Sequence, residues 1–122
     1  MDHSSGFLAL INEAKTRVKE VSIDDAKARL EANPNVVLMD VREDSEWNKG
    51  HADQAVHLGK GILERDLEAA YPDKETEIIM YCGGGYRSIL TADAAQKMGY
   101  TRVSSLIGGY KGLVKAGWSM IS

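Results

Sequence analysis

The chain is short of several residue types, and each shortage removes a class of protein. One cysteine, Cys82, in 122 residues excludes an intramolecular disulfide and any multi-cysteine zinc site. The three histidines, His3, His51 and His57, have no zinc-ligand spacing with it, so no metal is expected. Neither sign of charge is in strong excess, because 15 basic and 18 acidic side chains leave a net charge of -3. Such a balance disfavours a nucleic-acid surface, which wants a basic excess or stripe. It also leaves no polybasic segment for an anionic membrane. The longest apolar runs, such as Phe7–Ile11, fall far short of the ~20 residues that a membrane-spanning helix requires. The opening Met1–Ser5 lacks the basic start and apolar core of a secretory signal. The expectation is therefore a cytoplasmic chain with a reduced thiol.

What is present suits one globular domain. A content of 43% hydrophobic and 27% charged residues is ordinary for a folded domain, and a chain this long buries roughly two thirds of its unfolded surface without a covalent staple. Phe7, Ile11, Ala14 and Val18 fall on one helical stripe reaching toward Glu20, with Ser4 or Ser5 as N-cap. Ile23, Ala26 and Leu30 mark a second helix over about 24–32, ahead of Pro34. Val36–Met39 and Ile78–Tyr81 read as buried strands, Ala55–Leu58 and Val103–Leu106 as two more. Between them lie helices over 62–71 and 88–98, the second with Gly99 as C-terminal cap, and a last helix over 110–116. Strands alternating with helices predict an α/β fold with a parallel sheet covered on both faces. Ligands in such sheets bind beyond the carboxyl ends of the strands, and Cys82 stands at one of those ends.

The segment Cys82-Gly83-Gly84-Gly85-Tyr86-Arg87-Ser88 is the most informative part of the chain. Successive glycines let the backbone turn its N–H groups inward. A nest of donors at the start of a helix then favours an anion, here a thiolate or a group attached to it. A buried structural cysteine in a tight turn is the plainer reading; an arginine five positions on and the strand–loop–helix setting favour the functional one.

With those residues the chain resembles a single-domain rhodanese over about residues 20–118. The resemblance rests on Asp40-Val41-Arg42, Glu46-Trp47, Gly50-His51, the Cys82-x4-Arg87 loop, Gly99-Tyr100, Leu106-Ile107-Gly108-Gly109 and Ala116-Gly117. It implies a rhodanese-like fold, a five-stranded parallel sheet with helices on both faces, over 20–122, with 1–19 as an extra N-terminal helix. It also implies a sulfurtransferase: Cys82 receives sulfane sulfur, holds it as a persulfide and passes it to a nucleophile, with Gly83, Gly84, Gly85, Tyr86 and Arg87 around the substrate. The expected donor is thiosulfate or a persulfide, and the acceptor cyanide or a thiol, including a thiol protein such as thioredoxin. A cysteine desulfurase is a further candidate partner. No cofactor is needed, since a thiolate suffices for the covalent cycle. Without a second cysteine, the acceptor must be a separate molecule.

Departures from the family pattern are the run Ala52-Asp53-Gln54-Ala55 after Gly50-His51, Leu113 in place of a tryptophan, and Gly83 and Gly84. The last two stand where thiosulfate-using members often carry basic side chains. Arg87 is expected to hold the donor's anionic group or to pair with a carboxylate, Tyr86 to line the pocket mouth or cap the core, and Asp40 to be paired and structural. Arg42 is expected in a surface ion pair with Glu43 or Glu46, and His51 as a hydrogen-bonding loop residue. The stripe on the first helix packs on its own core, mediates a homodimer or docks a partner, so the expected state is monomer or homodimer. Rival readings are a phosphatase or arsenate reductase, whose loops place five residues between cysteine and arginine where this chain has four, and a weakly catalytic sulfur carrier or partner-binding module.

Overall fold

The computed structural model describes residues 3–122. Helix α1 (Ser5–Lys15) starts where the Ser4 hydroxyl accepts the Phe7 N–H. It ends at Thr16, short of Glu20. The chain then forms strand β1 (Lys19–Val21), which the stripe reading had absorbed into the helix. Next come α2 (Ile23–Ala32), capped by the Ser22 side chain, β2 (Val37–Asp40), and α3 (Asp44–Lys49). Short strands β3 (His51–Ala52) and β4 (Val56–His57) precede α4 (Leu63–Ala70). The remainder is β5 (Ile78–Tyr81), α5 (Arg87–Lys97), β6 (Val103–Leu106), α6 (Gly109–Lys115) and β7 (Met120–Ile121). No helix of the described residues is long and apolar enough to cross a membrane.

Five strands form one parallel sheet in the order β1-β6-β5-β2-β4, and β3 pairs antiparallel with β7 beside it. Side-chain alternation along β5 divides the core in two. Ile78 and Met80 pack with Ile11 and Ala14 of α1, Leu63 and Leu67 of α4, and Ile89, Ala92 and Ala95 of α5. Ile79 and Tyr81 face the other way, toward Ala26 of α2 and Leu113 of α6. The same parity continues past the strand and puts Cys82 on the α5 side. Helix α1 is thus part of the first core, and Arg17 pins its end to α5 through two bonds to Asp93 at 3.0 and 2.8 Å. Helix α5 closes with the Tyr100 N–H on the Ala95 carbonyl and the Gly99 N–H on that of Gln96, the paired bonds of a glycine C-cap.

The chain leaves the carboxyl ends of β2 and β5, neighbours at the middle of the sheet, for different helices. That divergence opens a crevice at the strand ends. Asp40 sits at one rim, fully buried, with its carboxylate on the Arg42 Nε and Nη2 and on the Arg42 N–H. Arg42 is buried as well, donates to the Gly50 carbonyl at 2.7 Å and lies 4.1 Å over the Tyr110 ring. The expected surface pair of Arg42 with Glu43 or Glu46 therefore does not form. The side chain folds back on its own strand, because the buried Asp40 carboxylate would otherwise lack a counter-charge.

Candidate active site

Cys82 is 1% exposed and forms the floor of a cleft of about 720 Å³. Its Sγ accepts the N–H groups of Gly85 at 3.2 Å and Ser88 at 3.4 Å, and lies 3.5 Å from the Ser88 hydroxyl. That hydroxyl also bonds Ser105 Oγ of β6 at 2.7 Å. The donors converge because the loop's carbonyls turn the other way. Cys82 and Gly83 give their C=O groups to the N–H groups of Tyr110 and Lys111 at 2.7 and 3.1 Å. Gly109 permits this approach: a Cβ there would lie 2.4 Å from the Cys82 carbonyl oxygen, at a φ of +54°. Gly85, at φ +101°, is pressed against Gly108 N in the same way. The result is a set of oriented donors around one sulfur, the arrangement that stabilises negative charge there.

The rim is built by residues distant in sequence. Arg87 donates to both oxygens of Glu46, at 2.6 and 2.9 Å. That pair spans from α5 to α3 and lines the cleft beside Cys82. The Glu46 carboxyl is held down at about 2, first by the Arg87 hydrogen bonds. Glu46 also accepts the Glu43 N–H at 3.0 Å and so anchors the start of α3. Trp47 fixes the rest of that short helix, stacked between the rings of His51 at 3.4 Å and His57 at 4.7 Å. His51 bonds the Trp47 carbonyl, the hydrogen-bonding role expected of it, but from the short strand β3 and not from a loop. A Cβ on Gly83 would come 3.0 Å from Arg87 Nη2, so position 83 backs directly onto the pair. Gly84 has no atom within 4 Å of its Cβ position and faces the cleft.

Cys82, Gly83, Gly84, Tyr86 and Arg87 line the cleft, whereas Gly85 does not and is packed beneath the loop against Gly108 and Leu106. Arg87 meets the cleft already paired. His3 and Phe7 of the N-terminal segment, Glu46 and Lys111 also line it, and nothing near them in sequence signals this. Ser88 was within the motif; Ser105 and Gly109 were visible only as strand and turn.

A parallel α/β sheet with a cysteine on a donor-lined loop at a strand end defines a cysteine-loop α/β domain. The rhodanese-like domain family matches residues 22–116, and the chain belongs to that family. It is 33% identical over 87 residues to "Putative sulfurtransferase YtwF" of Bacillus subtilis, covering 71% of this chain and 82% of that one. It is 34% identical over 92 residues to thiosulfate sulfurtransferase GlpE of Tolumonas auensis, covering 75% and 84%. A solved structure from Rhodopseudomonas palustris, of unknown function and described as a "possible tyrosine phosphatase", superposes with a TM-score of 0.86 at 25% identity over 99% and 98% of the two chains.

Proposed function

We propose that this protein is a sulfurtransferase that carries sulfane sulfur as a persulfide on Cys82, from thiosulfate or another persulfide to cyanide or a thiol. The observation that carries this reading is the convergence of the Gly85 N–H, the Ser88 N–H and the Ser88 hydroxyl on Sγ at the floor of an open cleft. The Cys82 thiolate attacks the donor's outer sulfur. A new S–S bond forms, and the rest of the donor leaves with the electron pair of the broken bond. The persulfide is itself anionic, and the same donors face it. The acceptor then takes the outer sulfur and returns the electron pair to Sγ. Gly83, Gly84 and Tyr86 give the substrate room and a wall, and Arg87 sets the field at the rim. The thiol chemistry suits a reducing, cytoplasmic setting in which a persulfidated protein such as a cysteine desulfurase supplies the sulfur and a thiol takes it.

A phosphatase reading fits less well. Four residues separate Cys82 from Arg87, and both terminal nitrogens of Arg87 are engaged by Glu46, where a tetrahedral dianion would need them. Thiocyanate production from thiosulfate and cyanide, measured beside hydrolysis of p-nitrophenyl phosphate, separates the two. Turnover of the first that is lost in Cys82→Ser supports the sulfurtransferase; hydrolysis of the second alone overturns it.

A further inference from the structure

The cleft above Cys82 is lined by two unlike sets of side chains, and their chemistry specifies an acceptor. One set is aromatic and comes largely from the N-terminal segment. The His3 and Phe7 rings lie 4.6 and 6.4 Å from the Tyr86 ring and 5.2 Å from each other, centroid to centroid. Lys111 also lines the cleft, and its ammonium has no ion-pair partner among the described residues. Arg87 adds no net charge, because Glu46 neutralises it at 2.6 Å. The cleft thus offers one uncompensated positive charge together with an aromatic lining.

We infer that the sulfur acceptor is a small organic thiol with a single carboxylate a few bonds from its sulfur, selected by Phe7 and Lys111. This rests on the persulfide reading of Cys82. One carboxylate matches one ammonium, whereas a phosphate dianion would face Glu46 with charge to spare. The methylenes between sulfur and carboxylate cross the Phe7 and Tyr86 rings, which would otherwise be left in water. A cleft of about 720 Å³ is far larger than cyanide or a lone sulfur atom needs. Cys82, at 1% exposure, lies on the floor of that cleft, where a small molecule has the readiest access. In the transfer the acceptor's sulfur attacks the outer sulfur of the persulfide anion. The Cys82–S bond breaks with its electron pair on Sγ, and the acceptor's proton stays with the new organic persulfide, so no oxidant or reductant is consumed.

The test preloads the enzyme with sulfur and measures second-order rates of discharge by 3-mercaptopropionate, 2-mercaptoethanol, cyanide and reduced thioredoxin. For the wild type we expect mercaptopropionate to outpace mercaptoethanol and thioredoxin. Lys111→Ala should lower the mercaptopropionate-to-mercaptoethanol ratio about fivefold, the scale of one exposed ion pair, and Lys111→Glu should lower it further. Phe7→Ala should lower both small thiols relative to cyanide, by about tenfold for the lost methylene contact. Ratios on one variant are insensitive to its stability, and the exposed Lys111 tests the idea without touching the core. If the enzyme loads no sulfur, the sulfurtransferase reading fails. If it loads and cyanide discharges it but Lys111→Glu leaves the ratio unmoved, or thioredoxin is the fastest acceptor, only the acceptor assignment is overturned.

Discussion

A methyl group at Gly109 should disrupt the cysteine loop, while one at Gly84, in the loop itself, should be tolerated. At Gly109 the added Cβ would meet the Cys82 carbonyl oxygen at 2.4 Å and that of Gly83 at 2.9 Å, backbone atoms that cannot rotate away. The φ of +54° adds about 1–2 kcal/mol for a residue with a Cβ, and relieving the overlap by backbone movement adds about 1–3 kcal/mol. Together Gly109→Ala should cost about 3 kcal/mol, a fall in melting temperature of roughly 10 °C for a chain of this size. The movement that relieves the clash pushes α6 from the loop and loosens the bonds from the Tyr110 and Lys111 N–H groups that turn the loop carbonyls away from Sγ. Sulfur loading should therefore slow even at temperatures where the variant is folded. Gly84 has an open Cβ position and no left-handed φ, so Gly84→Ala should be neutral or stabilise by about 0.4–1 kcal/mol through the unfolded chain. Thermal melts and single-turnover loading from thiosulfate read both effects. Equal destabilisation by the two substitutions, or full loading activity in a folded Gly109→Ala, would refute the account of the loop.

The other predictions concern the rim, the floor and the strand end. Glu46→Gln frees the Arg87 charge to face the cleft, so the KM for thiosulfate should fall; an unchanged or raised KM would show that the guanidinium does not reach the substrate. Because the Glu46 carboxyl drops from its ordinary 4.5 to about 2 on folding, the stability from this pair is fully present above about pH 4.5 and is lost as pH falls toward 2. Urea midpoints of wild type and Glu46→Gln should differ most above pH 4.5 and converge below it. Ser88→Ala removes the hydroxyl 3.5 Å from Sγ and strips Ser105 Oγ of its partner; loading should slow about tenfold, as expected for one lost bond to a charged acceptor. Asp40→Ala leaves Arg42 buried without its carboxylate, and denaturant unfolding should show a loss of about 3–5 kcal/mol.

The legible parts of the fold are those where burial alone decides. Every residue of β5 and of β6 is buried, so their apolar or small side chains mark both strands to the residue. Strand β1 was missed because it is an edge strand with only Val21 buried, and Lys19 and Glu20 continue a helical pattern as readily as an extended one. Helix α3 has no buried residue and therefore no apolar stripe. It is held by the Glu46 cap and by Trp47 between two imidazoles, contacts to residues that only the fold brings near. The site divides the same way. The sulfur and its donors come from one contiguous loop, and the motif exposes them. The rim joins residues 3, 7, 46, 87 and 111 across four helices and a terminus, and no local pattern records such a meeting. The buried Arg42 shows the limit plainly: a charged side chain next to Glu43 and Glu46 reads as a surface residue until Asp40 is seen beneath it.

The most direct measurement is the intact mass of wild type and of Cys82→Ser after incubation with thiosulfate or an inorganic polysulfide, repeated after cyanide is added. The account predicts a gain of one sulfur atom on the wild type alone, removed by cyanide with thiocyanate appearing in equal amount. A sulfur adduct retained in Cys82→Ser, or no adduct on the wild type with either donor, would contradict it.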